Sequence, residues 1–347
     1  MDFTVGRMAY DDPLGYIASG LFDGARFSQY TKIGTFSIGA WYTGLLYKER
    51  AKIEMTENEY TAYKAAIDWN DFSNTYYAPR RFLAAVDWAY KGFLDNAIAQ
   101  LSMLSQFDLS EEKLHSQYLV GKTIIPVETK VSNGAFSADL GGSFELIEAN
   151  NKIGSAFAVE AAPAWRNNFH YVSLAIKYAS GASDGLAAFL PLTTNAQGQI
   201  WKPKLSGITM FSIDYTARLY ETLSVGFYPA YYILNGSGSN GRNGGEIFAA
   251  AYWSPSPEIG LNLGAGASFG NVSPDEKASW RVALNVVLSL FLQITRRRKK
   301  YEKDCVDVCF DNGGYKRIRA ERSGKGINWH GGTENRWLLG VCRGESR

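Results

Sequence analysis

Acidic and basic residues recur inside stretches of this 347-residue chain in which apolar and polar side chains alternate. Such alternation places the two series on opposite faces of a β-strand, so that one face is apolar and the other carries the charges. A charged face needs water or paired charges around it, and a ring of charged side chains can select solutes by their charge. The candidates for lining such a passage are Arg7, Arg26, Arg81, Asp87, Lys91, Asp214, Arg218 and Arg281.

The charged series continues in the middle of the chain with Lys122, Asp139, Glu145, Glu160 and Lys177. These residues allow two interpretations. They line a water-filled passage, or they pair with one another and plug it. Because both signs of charge occur along the whole series, the sequence predicts neither the selectivity of a passage nor whether it is open.

Residues for catalysis or metal binding are few and scattered. His115, His170 and His330 have no partner at a catalytic spacing, and no serine stands in a nucleophile-elbow motif. Cys305 and Cys309 lack the second tight pair of ligands that structural zinc sites usually show. The sequence therefore predicts no catalytic residue, no metal site and no cofactor, and the chain is not expected to be an enzyme.

The stretch WRVALNVVLSLF, residues 280–291, shows the alternation that would position the charged residues. Arg281, Asn285 and Ser289 share one face of the predicted strand, which we expect to meet water. We predict that the opposite face contacts lipid; it consists of Trp280, Val282, Leu284, Val286, Leu288 and Leu290.

The same pattern predicts about fourteen strands, many of them about 9 to 13 residues long. Strands of soluble proteins centre near 5 or 6 residues, whereas a tilted strand needs about 9 to 11 to cross a bilayer. Strand length therefore favours a membrane protein. The predicted strands lie near 2–9, 23–31, 35–48, 81–91, 97–109, 117–127, 134–148, 154–166, 169–180, 205–219, 222–234, 245–253, 258–270 and 279–291.

The predicted connections alternate in length. Those after odd-numbered strands are mostly long, as at 49–80 and 181–204, and those after even-numbered strands are tight. This asymmetry is typical of an antiparallel, up-and-down transmembrane β-barrel. A soluble β-sandwich would give the same alternation and remains the alternative. Met55–Ile67 has helical spacing and predicts a short helix, while Gly185–Thr194 either folds inward as a constriction or covers neighbouring loops.

Charge and cysteine content divide the chain at about residue 291. The tail from Leu292 carries 14 Lys and Arg against 7 Asp and Glu, and all 3 cysteines. We predict a barrel over 1–291 and a basic, disordered tail over 292–347. The RRRKK run suits anionic lipid headgroups, and without aromatic platforms the tail gives no support for nucleic-acid binding.

Two segments resemble bacterial outer-membrane barrels of the porin type. Phe3–Phe27, with its Gly-Arg and Phe-Asp-Gly-Ala-Arg elements, resembles the first strand pair of alginate-export and related barrels, and Trp280–Phe291 resembles a closing strand read by the outer-membrane assembly machinery. The resemblance implies an integral protein in the outer membrane of a diderm bacterium. The start shows no signal peptide, so we expect a processed or N-terminally incomplete chain with an abnormally extended tail.

The function expected from these observations is a porin for passive diffusion of small solutes and ions, with the lipid bilayer as its surroundings. A structural or adhesive barrel with surface-exposed loops is one alternative, and a transporter of hydrophobic compounds is another. The sequence does not predict the solute or the oligomeric state.

Overall fold

The computed structural model describes residues 1–43, 52–93, 96–110, 113–128, 134–149, 152–183, 186–237, 241–271 and 278–292, and strand backbone at 302–311, 314–315 and 319–323. Fourteen strands of 9 to 15 residues cover most of residues 1–292. They are β1 (Asp2–Asp11), β2 (Ser19–Thr31), β3 (Gly34–Tyr42), β4 (Arg81–Phe93), β5 (Ala97–Asp108), β6 (His115–Glu128), β7 (Ala135–Ala149), β8 (Lys152–Arg166), β9 (His170–Ala179), β10 (Ile208–Tyr220), β11 (Leu223–Leu234), β12 (Asn243–Ser256), β13 (Ile259–Gly270) and β14 (Ala278–Leu292).

Each of these strands pairs antiparallel with the next along the chain, which is the predicted up-and-down order. The prediction of an all-β antiparallel barrel with about fourteen strands is confirmed. Some observed strand ends differ from the predicted ones. β2 begins at Ser19 rather than near residue 23, because Asp11 and Ser19 already pair across the hairpin. The part of the third predicted strand beyond 43 lies outside the described residues.

The two faces of the sheet differ as the alternation predicts. We call the face of Trp41, Leu83 and Glu145 inner, because these side chains are buried. On the outer face, Trp280, Val282 and Leu284 are 70%, 50% and 42% exposed within the isolated chain, as a surface that meets lipid requires. Val286 is half-buried, and the side chains of Leu288 and Leu290 lie outside the described residues.

The connection from β3 to β4 contains two helices, α1 (Glu57–Lys64) and α2 (Phe72–Tyr76). α1 confirms the helix predicted over Met55–Ile67. Thr56 caps it: its side chain accepts the Glu59 N–H, and the Glu59 carboxylate accepts the Thr56 N–H. Among the described residues, no helix has the length and apolar character needed to span a membrane.

The ends of the sheet differ from the expected closing strand. β14 pairs with β13 on one side and on the other with β15 (Glu302–Asp311), a segment of the tail. Two shorter strands, β16 (Gly314–Tyr315) and β17 (Arg319–Ser323), pair with β15, so the structure assigns strand backbone to parts of the tail where the sequence predicts disorder. An edge strand presents unpaired backbone groups, and a neighbouring segment satisfies them. In the pairings that the structure describes, β1 pairs with β2.

Candidate functional site: the barrel interior

The connection between β9 and β10 folds into the barrel, as one interpretation of Gly185–Thr194 predicted. We call residues 186–207 the interior segment. Its first anchor is Leu190, whose carbonyl oxygen accepts from the Tyr118 hydroxyl at 2.5 Å and whose N–H donates to the Glu145 carboxylate at 2.9 Å. Tyr118 and Glu145 are register partners on β6 and β7, so one cross-strand pair holds both backbone groups of one residue.

The second anchor of the interior segment is the Glu246 carboxylate on β12. It accepts the backbone N–H groups of Gln199, Ile200 and Trp201 at 2.6, 3.1 and 3.1 Å. On β14, Arg281 donates to the Gln199 carbonyl oxygen at 2.6 Å. Hydrogen bonds between ionised side chains and backbone groups are stronger than neutral ones, so this anchor fixes the segment against β12 and β14.

The β1–β2 loop, residues 12–18, also folds inward. Asp12 accepts N–H groups from Leu14, Gly15, Ile17 and Ala18 at 2.8 to 3.1 Å, which winds the loop around its carboxylate. The two inward-folded loops are joined, because the Thr193 N–H donates to the Ile17 carbonyl oxygen at 3.0 Å and the Asn195 amide donates to the Gly15 carbonyl oxygen at 3.1 Å. Burial raises the pKa of Asp12 to about 6, although these four N–H groups favour the charged form.

These loops and the inner wall share one buried apolar cluster. The loops contribute Leu14, Ile17, Phe189 and Leu192, and β1 to β10 contribute a larger set of side chains. Of β11 to β14, Tyr232 alone belongs to this cluster in the part of the chain that the structure describes. The buried apolar cluster therefore fills the interior on the side of β1–β10. The wall members are Tyr10, Phe22, Trp41, Leu83, Ala85, Leu104, Tyr118, Val120, Ala156, Ala158, Ala179, Ile208, Met210 and Tyr232.

Arg81, predicted as a lining residue, lies on the inner face but is covered. Its guanidinium donates to the Glu59 carboxylate of α1 at 2.9 and 2.5 Å and to the Gln106 side chain at 3.1 Å. The two charged side chains are 2% and 5% exposed. The ion pair thus anchors the β3–β4 connection to the wall instead of facing water.

Arg26 and Asp87, two other predicted lining residues, form an ion pair on the inner face. Arg26 lies 3.6 Å from Asp87, and Asp87 also accepts from the hydroxyl groups of Tyr10 and Ser102 at 3.0 and 2.7 Å. Lys91 lies on the same face at the short-turn end and is exposed.

Further along the sheet the pairing continues. Lys122 lies between Asp139 and Glu160, at 3.4 and 3.2 Å from their carboxylates. On β10, Asp214 is half-buried on the inner face opposite Ser173, and Arg218 is exposed near the strand end. Some charges of the series therefore pair on the inner face, whereas Lys91 and Arg218 are exposed near strand ends, and the lining of a water-filled passage stays a prediction.

Arg7 is a correction to the predicted lining. Its register partner is Asp23, and the same series of β1 positions contains Phe3 and Val5, which are exposed on the outer face. Arg7 donates to the Asp23 carboxylate at 2.9 and 2.5 Å. The sequence predicted the strand correctly but assigned Arg7 to the wrong face. Met8 and Tyr10 lie on the inner face of β1, so Arg7, at an odd-numbered position, lies on the outer face.

The sequence did not single out Glu59, Asp12, Tyr118 or Glu246. The three N–H partners of the Glu246 carboxylate lie 45 to 47 positions away in the chain, so this arrangement has no local motif. Glu246 stood in a predicted strand as a charged residue between apolar neighbours, which was the one signal available for it.

No family model and no curated protein matches the chain. Among solved structures, OccAB1 of Acinetobacter baumannii has a similar fold, with a TM-score of 0.55 at 13% sequence identity over 81% of this chain and 72% of that chain. OccAB1 is an outer-membrane channel. At this identity the likeness concerns the fold, and the resemblance of Phe3–Phe27 to alginate-export barrels stays a prediction.

Proposed function

We propose that this chain is a channel in the outer membrane of a diderm bacterium, through which small solutes and ions cross by passive diffusion. The observation that carries the proposal is the interior segment. It is tied to β6 and β7 at Leu190 and to β12 and β14 at residues 199–201, strands that lie far apart in the sheet. A loop anchored in this way narrows a barrel to a constriction, and the fold shared with OccAB1 supports the same function.

The passage beside the constriction is lined by polar and small residues, which favours hydrophilic solutes over hydrophobic compounds. Inner residues of β11–β14 such as Tyr228, Asn262 and Asn285 are half-buried, with hydroxyl and amide groups on that face. Arg218, opposite Ser224 of β11, and Arg281 on β14 are the charged residues that we propose to act on passing ions.

Conductance of the folded full chain in planar bilayers tests the proposal. We expect discrete ion-conducting steps, and larger or noisier steps for Glu246→Ala, because the segment 199–201 loses the acceptor of three N–H groups. Glu258→Ala is the matched control, since Glu258 is an exposed carboxylate in the turn after β12. Protein that inserts without conducting in all three forms would refute the channel.

A silent but inserted protein would favour the structural or adhesive function. The observation behind that candidate is the β3–β4 connection, where Trp69 is 79% exposed and stacks on Phe72 with ring centroids 5.6 Å apart. Retained binding to cell surfaces that Trp69→Ala abolishes would then identify this function.

A further inference from the structure

The inner face of β11–β14 carries a row of neutral polar side chains near the short-turn end of the barrel. The strand registers place Ser224 opposite Tyr252, Tyr252 opposite Asn262, and Asn262 opposite Asn285. The four residues therefore lie at one level across β11, β12, β13 and β14, on the inner face, and all four are half-buried. Neighbouring strands lie about 4.8 Å apart, so the row extends over roughly 14 Å.

A second level, two residues further into the barrel, consists of small residues: Gly226, Ala250, Gly264 and Ala283. Aromatic rings lie across its two glycines. A Cβ atom added to Gly226 would overlap the Tyr228 ring, and one added to Gly264 would overlap the Phe248 ring. Absence of side chains at these positions lets the rings lie against the wall. The Tyr228 hydroxyl lies 3.4 Å from the Tyr252 hydroxyl, so the Tyr228 ring contacts the row of polar side chains.

The chemistry of these two levels differs from that of the opposite wall. Across β11–β14 they contain no acidic or basic side chain, whereas β6–β8 carry Lys122, Asp139 and Glu160. Hydroxyl and amide side chains both donate and accept hydrogen bonds, as the hydroxyl groups of a polyol do. A ring lying against the wall offers an apolar surface to a ligand that has a flat face of C–H groups.

We propose that Ser224, Tyr252, Asn262 and Asn285, with the Tyr228 ring, form a binding site for an uncharged polyhydroxylated solute, the chemistry of a sugar. The proposal rests on the proposed channel function, which it deepens by naming a solute class. The site lies on the short-turn side of the interior segment, so a solute meets it beside the constriction. Arg218 on β10 borders the row, opposite Ser224, and makes an anionic sugar the competing candidate.

Binding is tested on the detergent-folded full chain by saturation-transfer NMR with maltotriose, which needs no conducting channel. We expect saturable binding, weakened about threefold to tenfold in Asn262→Leu, because a lost hydrogen bond is worth about 0.5 to 1.5 kcal/mol. Gln100→Leu is the matched control: it removes a half-buried inner amide from β5, opposite Lys122. Heat-modifiable migration on gels and circular dichroism establish that each variant is folded.

Three outcomes would overturn the site: no binding of maltotriose, equal weakening in Asn262→Leu and Gln100→Leu, or tighter binding of glucuronate that is lost in Arg218→Gln. Sugar-dependent blockade of the ion current, measured in parallel, separates the two proposals. Conductance without maltotriose binding removes the site and keeps the channel. Binding without conductance keeps the site and removes the channel.

Discussion

At the scale of single residues, the buried ion pair between Arg81 and Glu59 shows how a charge in this barrel is accommodated. Glu59 serves two elements, because its carboxylate accepts from the Arg81 guanidinium and from the Thr56 N–H at the start of α1. Burying a charge without its partner is costly, whereas a paired and hydrogen-bonded charge is tolerated. The pair therefore couples the helix to the wall of the barrel.

We expect Glu59→Ala to lower the free energy of unfolding by about 3 to 5 kcal/mol, because Arg81 stays buried without its carboxylate partner. Thr56→Ala is the control. It removes only the side-chain cap of α1, which is worth about 1 kcal/mol. Urea unfolding of the proteins folded into phospholipid vesicles measures both changes. Equal effects of the two substitutions would show that the ion pair adds nothing beyond the helix cap.

Asp12 gives the fold a pH dependence outside the strands. Its pKa is raised from 3.8 to about 6 by burial, so the folded protein binds this proton more tightly than the unfolded chain does. Its contribution to stability is complete below about pH 4 and is lost as the pH rises to about 6, by up to about 3 kcal/mol. The urea midpoint of unfolding of the natural protein should therefore fall as the pH is raised from about 4 to about 6, the window that this pKa shift defines.

Asp12→Asn should flatten that profile, because the amide does not titrate. The other carboxylates titrate in both proteins, so their contributions to the pH dependence of stability cancel when the two profiles are compared. An identical slope in the two proteins would mean that Asp12 is not the group responsible.

At the scale of elements, the sequence predicted the strands well because the alternation of apolar and polar residues is visible within each strand. Alternation in residues 259–270 or 280–291 depends on the period of the backbone alone, and both segments are strands in the structure. The helix α1 was also visible, through spacing and composition. Which face of a strand points inward was harder to predict. The register of β1 places Met8 and Tyr10 on the inner face, and no local feature of the sequence distinguishes their positions from that of Arg7.

The inward folding of the interior segment was open at the sequence level for a physical reason. Leu190 is fixed by Tyr118 and Glu145, and these residues lie 72 and 45 positions away in the chain. Such contacts leave no periodic signal, since a loop carries no regular pattern of its own. Only the three-dimensional neighbourhood decides whether an apolar loop covers the mouth of a barrel or fills it.

At the scale of the whole molecule, the two faces of the barrel differ in chemistry. Inside, the apolar cluster and the anchored carboxylates replace water over much of β1–β10. Outside, the exposed side chains of β14 are apolar and the backbone groups of its paired strands are satisfied within the sheet, which are the two properties that we expect of a surface in contact with lipid. The outer face of β14 is the part of this surface where the sequence and the structure agree most directly, at Trp280, Val282 and Leu284.

Leu284→Arg therefore tests the orientation of the whole sheet. Leu284 is near the middle of β14 and points outward, so an arginine there should cost about 2 to 4 kcal/mol of folding free energy in a bilayer. Ala283→Arg is the matched control, because Ala283 is the neighbouring residue of β14 on the inner face of the sheet. Folding into phospholipid vesicles at graded urea concentrations gives both values. If the inner substitution costs as much as the outer one, the faces of the sheet are not divided between lipid and water as the structure indicates.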